Sequence, residues 1–410
     1  YVTVGSCGAC RFGQYHQSHE LALRNVGLEA FRRVLVDQHN LETEGPADGG
    51  LDINMPLTLG VIWAILCADV IQSLEYQTRP YEVEPGSTDD VVRESIDYLS
   101  DVFRHRPVKG RKWGLAAWHL STGYFVQALR DVFRNFEAIQ VDRLRPKPVV
   151  KLTGEFYLQT VEGEPNYNMH AWLESEGAEV VPAPIAVWLD YLLRFRVQAC
   201  EERIGIDAGA RVTAAALRAT QRLLRWTYDR MRAACGGIPH DLPDQYELSR
   251  LAAPYYHHRL SGGEGDMLIG KVLWAHKRRK AHMICELSPY GCMPTTMSIG
   301  AMAGVLGHYP HLLYAPIEVK GDADAHALSR CQMILTEAKA RAMSEYDRAA
   351  EVTGLTPEQA RSLLANNPAI SRATYRVPHC GAAGMAANTL LHLAGQRLPD
   401  SGASSTREAP

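Results

Sequence analysis

VVKLTGEF, Val149–Phe156, introduced by Pro146 and Pro148, reads as a short β-strand, and NYNMHAWLESEGAEVV, Asn166–Val181, reads behind it as a helix and a second strand. Strand, helix and strand in that order make a β-α-β unit, the building block of a parallel sheet. The same alternation resumes downstream. HMICELSP (282–289) is a strand, Thr295 to about Val305 a helix, LLYAPIEV (312–319) a strand, and Asp324 to about Ala350 a long helix. Upstream, residues 1–6 read as a strand. After the turn CGAC a helical stretch runs to Val26, Gly27 stops it, and FRRVLVD (31–37) follows as a strand. That is a further β-loop-α-β unit.

Between these units the periodicity is helical. After an Asn/Gly/Asp-rich loop (44–54), helices are expected at about 56–76, 88–105 and 121–136. A second helical region runs from about Pro184 to Lys280, with an amphipathic stretch from Val212 to Ala233 and breaks at Gly236, Gly237 and Pro239. The expected class is α/β: two Rossmann/flavodoxin-like parallel-sheet domains with a largely helical insertion. The first domain would occupy 1–145 and the second 146–350, with the insertion at about 184–280. A C-terminal helical segment would follow at 351–395, and the small polar residues of 396–410 read as a disordered tail. Tyr1 already lies inside a strand, so the true start is expected upstream.

Composition narrows the function classes. The chain has 410 residues, 46% hydrophobic and 22% charged, with a net charge of −3, which gives no electrostatic reason to expect nucleic acid. The most apolar stretch, PLTLGVIWAILCADVI (56–71), is too short to span a bilayer and carries Asp69, so it reads as a buried core helix and no membrane is expected. Nine scattered cysteines argue against a secreted disulfide framework and for a reducing, cytoplasmic setting.

Three of those cysteines stand apart. Cys7 and Cys10 form a C-x-x-C directly behind the first strand, and Cys292 follows the strand 282–289. Two thiolates at that spacing can bind one face of a metal or cluster, with further ligands supplied from elsewhere in the fold. In open parallel sheets ligands bind beyond the carboxyl ends of the strands. Cys7, Cys10, Cys292 and Thr153, Gly154 and Glu155 all fall at such ends. From the residues alone, C-x-x-C is also a dithiol redox pair or half of a zinc site. Cys67, Cys200, Cys235, Cys285 and Cys331 read as core packing, while Cys380 stays open.

The motifs CGACRFGQY (7–15), KLTGEFYLQT (151–160), EPNYNMHAWLESEGAEV (164–180), GEGDMLIGKVLWAHKRRKAHMICELSPYGCMPTT (263–296) and LLYAPIEVKGDADAHALSRCQMILTEAKA (312–340) together resemble the 2-hydroxyacyl-CoA dehydratase superfamily. More narrowly, they are similar to the dehydratase-like portion of the CoA-substrate-specific enzyme activases. The resemblance covers about residues 1–395 and is specific for family rather than substrate. It implies a [4Fe-4S] cluster, or a related double-cubane cluster, with Cys7, Cys10 and Cys292 as ligands. It also implies an ATP-dependent activator of the actin/Hsp70/sugar-kinase type, on the same chain or a partner subunit, which delivers a low-potential electron for radical dehydration or reduction of an acyl-CoA; a dimer is compatible with it. The chain departs from the pattern in carrying no phosphate-binding signature of the activator.

Physical reading of the neighbouring residues adds to this. Gly8 and Gly291 let backbone N–H groups approach sulfur, and the positive end of the helix after CGAC favours thiolate or cluster alike. Arg11, Thr153, Gly154, Glu155, Asn166 and Glu264 are candidate crevice-lining residues. Each has a structural alternative: Arg11 as a surface charge, Glu155 as an orienting group for its own loop, Asn166 with Asn168 as helix caps. His257 and His258, placed on a helix, would point about 100° apart and so not share one ion. His276 and the basic run Lys277–Lys280 read as a solvated face or a contact for CoA phosphates. The functional alternatives to a cluster enzyme are a non-catalytic cluster or zinc scaffold that docks an ATPase domain, and a C-x-x-C thiol redox protein.

Overall fold

The computed structural model describes residues 2–5, 10–28, 31, 33–36, 41–44, 54–260, 263–321 and 323–398. The chain is α/β. Its first unit follows the expected order, with β1 (Val2–Val4), α1 (Phe12–Asn25) and β2 (Arg33–Val36), and β1 pairs with β2 in parallel. A third strand, β3 (Leu41–Glu44), runs antiparallel on β2 with Leu35 opposite Glu42. Its sequence, LETE, carries no apolar period, so sequence patterning passes over it. The first sheet is therefore mixed rather than purely parallel.

Four helices come next: α2 (Met55–Thr78), α3 (Ser87–His105), α4 (Lys112–Ser121) and α5 (Tyr124–Phe136). Asn54 starts α2 by accepting the Leu57 N–H at 3.0 Å, with Pro56 in the first turn, where its missing N–H costs nothing. The apolar run 56–71 thus belongs to a longer helix. Among the described residues α2 alone is long and apolar enough to cross a membrane, yet just over half of its most apolar window is buried inside the protein, with Leu66, Val70 and Leu74 fully enclosed. Asp69 caps another helix: its two carboxylate oxygens accept the Ile185 and Ala186 N–H groups, each at 2.8 Å. The helix expected at about 121–136 is α5, which begins at Tyr124; α4, set off from it at Thr122 and Gly123, was not expected.

The principal sheet holds β4 (Val149–Gly154), then α6 (Phe156–Thr160), α7 (Met169–Ser175) and β5 (Glu179–Val181). Helices α8 (Ile185–Glu202), α9 (Ala210–Ala234), α10 (Gln245–Ala252) and α11 (Gly265–Lys277) intervene before β6 (Met283–Pro289), α12 (Met293–His308), β7 (Leu313–Val319) and α13 (Asp324–Thr353). All four strands are parallel, in the order β5-β4-β6-β7. The side chains on one face, Val150, Leu152, Cys285, Leu287 and Ile317, pack on α7 and α13. From the other face Ile284 and Tyr314 meet α11 and α12. That double cover is what near-continuous apolar strands require.

Helices α8 and α9 do not form a free-standing insertion. Leu66 and Leu74 of α2, Leu129 and Phe136 of α5, Val187 of α8, Tyr228 of α9 and Leu248 of α10 share one apolar core. Helices on both sides of residue 145 therefore bury each other. The C-terminal segment adds α14 (Pro357–Asn366), opened by a reciprocal Thr356–Gln359 capping box, and α15 (Met385–Leu393). Residues 396–398, expected in a disordered tail, are tied down: Leu398 is buried, and its N–H donates to the Cys380 carbonyl at 2.8 Å. One apolar side chain and a backbone bond suffice to extend the ordered core. The remainder of that tail, 399–410, lies outside the described residues.

Candidate functional site at the carboxyl ends of the strands

Strand β4 ends where it comes closest to β6. Gly154 has φ +120°, and a Cβ placed on it would sit 1.9 Å from the Leu287 carbonyl oxygen, so only glycine allows this approach. The Glu155 N–H donates to that same carbonyl at 2.9 Å. The Glu155 carboxylate turns back to accept the Leu158 N–H at 2.9 Å, capping α6, and burial raises its pKa above the ordinary carboxylate value. Beside it, the Thr153 hydroxyl is buried and has no hydrogen-bond partner among the described residues.

Glu264 comes to the same place from a distant segment. Its carboxylate accepts the Trp188 indole N–H at 2.7 Å, and Trp188 stacks on Phe156 at 4.6 Å. Burial raises the Glu264 pKa, and the Glu155 charge adds to the rise. Gly263, at φ +118°, sits so tightly on Pro294 that a Cβ would lie 2.1 Å from the proline ring. Pro294 is in the first turn of α12, two residues after Cys292. The fold therefore brings together the Thr153–Glu155 turn, the Gly263–Glu264 loop and the Cys292 turn, which are far apart in sequence.

Cys292 occupies the cap position of α12. Gly291, at φ +68°, lets the chain turn, and the Cys292 carbonyl accepts the Thr296 N–H at 2.9 Å. The thiol makes no cap bond and is half-exposed, at the end of a 16-residue helix whose positive pole favours anionic sulfur ligands in general. Cys10 is also half-exposed, before α1, and Arg11 is exposed at the cap of that helix without a side-chain cap bond. Cys7 lies outside the described residues, as does Gly8. Among the described residues, no three His, Cys, Asp or Glu side chains are grouped to hold a metal ion.

Asn166 is spent on structure. Its side-chain amide donates to the Leu158 and Val161 carbonyls at 2.9 and 2.8 Å, and its oxygen accepts the Met169 N–H at 3.2 Å. Asn168 takes a left-handed conformation at the start of α7 and makes no side-chain cap bond. His257 and His258 stand on a turn rather than a helix; their rings stack at 4.7 Å, and His258 pairs with Glu202. Cys67, Cys235, Cys285, Cys331 and Cys380 are buried, whereas Cys200, expected in the core, is half-exposed near the end of α8.

The basic run divides. Lys277 lies over Tyr309, Arg278 pairs with Glu247, and Lys280 turns inward to a cavity that sequence reading missed. Two further lysines line it, Lys151 on β4 and Lys271 in the middle of α11. Burial first, then the Lys151 charge, pushes the Lys271 amine down to about 7. A base whose folded value lies below its unfolded one, near 10.4, binds fewer protons when folded. The contribution of Lys271 to stability then rises with pH between about 7 and 10, and below 7 its buried charge exerts its full cost. Lys271→Met is accordingly expected to raise the urea midpoint at pH 7 and to raise it much less at pH 10. An equal shift at the two pH values would contradict a charged Lys271.

In comparisons with protein-family models, curated proteins and solved structures, the chain matches none.

Proposed function

We propose that this chain is an iron–sulfur protein of the 2-hydroxyacyl-CoA dehydratase and activase type, with Cys7, Cys10 and Cys292 as ligands of a [4Fe-4S] or related double-cubane cluster. The observation that carries the reading is the setting of Cys292: a half-exposed, uncapped thiol at a strand's carboxyl end, on the first turn of α12, beside the Gly263 loop. Donor chemistry fits, since thiolates are the standard ligands of such clusters. Cys10 and Cys292 share their accessibility with Cys200 alone among the described cysteines; the others are sealed in the core, among them Cys235, whose thiol burial pushes up to about 12. A bound cluster would supply one-electron chemistry at low potential.

The chain's own residues would shape that site. Gly154 and Gly263 let three backbone segments approach closely, and the half-buried Glu155 and Glu264 carboxyl groups border it, their pKa values raised by partial burial. Electron delivery would come from an ATP-dependent activator of the actin/Hsp70/sugar-kinase type, on the same polypeptide or a partner subunit, and the acceptor would be an acyl-CoA. The setting would be cytoplasmic.

The test is anaerobic isolation with iron, acid-labile sulfide and zinc analysis and EPR. Wild type is expected to be brown and oxygen-labile, and Cys292→Ser to lose most of its iron and its EPR signal while keeping its fold by circular dichroism. Colourless protein with stoichiometric zinc would sink the cluster and leave the zinc scaffold. A Cys7–Cys10 disulfide that titrates reversibly without any metal would leave the thiol redox reading.

A further inference from the structure

The cavity that holds Lys271 has an unusual lining. Lys151, Lys271 and Lys280 meet His240 and Asp241 around a space of about 60 Å³. Three lysine amines thus line the space with one carboxylate, and the Glu264 and Glu286 carboxylates act on Lys271 from outside that lining. Lys271 is 1% exposed, and its Nζ has no hydrogen-bond partner among the described residues. A buried ammonium without a partner is so costly that such groups are found paired, neutral or holding a ligand. The placement is not a by-product of a polar segment, because α11 is buried almost all round: Ile269, Val272 and Leu273 pack in a core. Lys151 likewise interrupts an otherwise apolar strand, in the row of β4 between Val149 and Thr153.

We infer that this cavity is a binding site for the phosphate group of a small metabolite, held by Lys151, Lys271 and Lys280. Charge sets the class. A phosphate dianion can accept hydrogen bonds from all three amines and favours their charged form, whereas a single carboxylate brings half the charge and fewer acceptor oxygens. Size agrees, because at roughly 10–15 Å³ per water centre the space takes about four to six waters, the scale of one tetrahedral oxyanion. A second cavity of about 160 Å³ shares Val181, His240, Asp241 and Lys280 with the first and is lined further by Arg232 and Arg376. It gives the organic part of a phosphate ester somewhere to lie. Burial, followed by Lys151 and Lys280, pushes His240 down to about 4, so at neutral pH it is an uncharged hydrogen-bonding group at the junction. No residue of the crevice around Cys292 lines either cavity. The inference therefore stands whatever occupies that crevice.

The experiment is thermal melting and calorimetric titration of the full chain with inorganic phosphate, with glycerol 2-phosphate and with acetate, each against sodium chloride of equal ionic strength. Phosphate is expected to give a saturable rise in Tm of roughly 2–5 °C at a hundredfold excess over Kd, and acetate none. Lys271→Met should remove the effect, and Lys151→Gln should weaken phosphate at least tenfold. If Lys271→Met does not fold, Lys151→Gln and Lys280→Gln carry the test. Tighter binding of glycerol 2-phosphate identifies an ester as the ligand, and equal binding identifies free phosphate. The inference is overturned by the absence of a saturable phosphate effect, by an equal effect of acetate or chloride, or by undiminished affinity in the lysine variants.

Discussion

Gly154→Ala is expected to be the most damaging single methyl group that can be added to this sheet. The new Cβ would stand 1.9 Å from the Leu287 carbonyl oxygen and 2.6 Å from its nitrogen, both backbone atoms of the neighbouring strand. Neither can swing aside as a side chain would. Relief requires β4 and β6 to separate at their carboxyl ends, which breaks the hydrogen bond from the Glu155 N–H to Leu287 and disturbs the Gly154–Leu287 register. The φ of +120° adds backbone strain for any L-residue with a side chain. A loss of at least about 3 kcal/mol is expected, seen as a large fall in urea midpoint or as insoluble protein. Gly291→Ala provides the comparison: its φ is +68°, but nothing lies within 4 Å of the added methyl, so about 1–2 kcal/mol should be lost. Similar midpoints for the two variants would mean that the β4–β6 approach is looser than described.

That contrast also shows what the sequence could disclose. The strands of the principal sheet were legible because Pro148, Gly154 and Gly291 punctuate short apolar runs, and the same punctuation located the strand ends where Thr153–Glu155 and Cys292 stand. Whether those ends meet is a matter of packing, and the joining loop Gly263–Glu264 comes from beyond five helices, α6 to α10. The strand LETE was hidden because its pairing with β2, not its own pattern, makes it a strand. Helices α2 to α5 and α8 to α10 each show an apolar stripe, but a stripe does not say which other stripe covers it, so their shared core was unreadable. Lys151 in VVKLTG and Lys271 in MLIGKVLW did leave a trace: a lone cation in an apolar run has to be satisfied somewhere. What satisfies it is spatial, and only the fold puts the two lysines on one cavity. The adjacent histidines 257 and 258 show the reverse, a conspicuous pair that the turn spends on stacking and a hydrogen bond to Glu202.

Arg194→Met is expected to have the next largest effect, through the charge it leaves behind. Arg194 of α8 and Asp266 of α11 form an ion pair at 2.6 Å with side chains only 1% and 4% exposed, and Arg194 also donates to Gln198 at 2.7 Å. Taking both groups out of water costs several kcal/mol per ion, which the close pairing largely offsets. Removing the guanidinium alone leaves the Asp266 carboxylate buried without its cation, and about 3–5 kcal/mol should be lost. The double variant Arg194→Met/Asp266→Leu removes both desolvation costs and should recover most of that loss, so the two substitutions should be strongly non-additive in urea unfolding. Because Asp266 opens the second residue of α11, two residues after Glu264, the single variant should also loosen the loop that seats on Pro294. Iron retention in the proposed site should then fall with Arg194→Met and return in the double variant. If the double variant unfolds as easily as the single one, the pair contributes through packing shape rather than charge, and the link from α8 through α11 to the Cys292 turn would have to be abandoned.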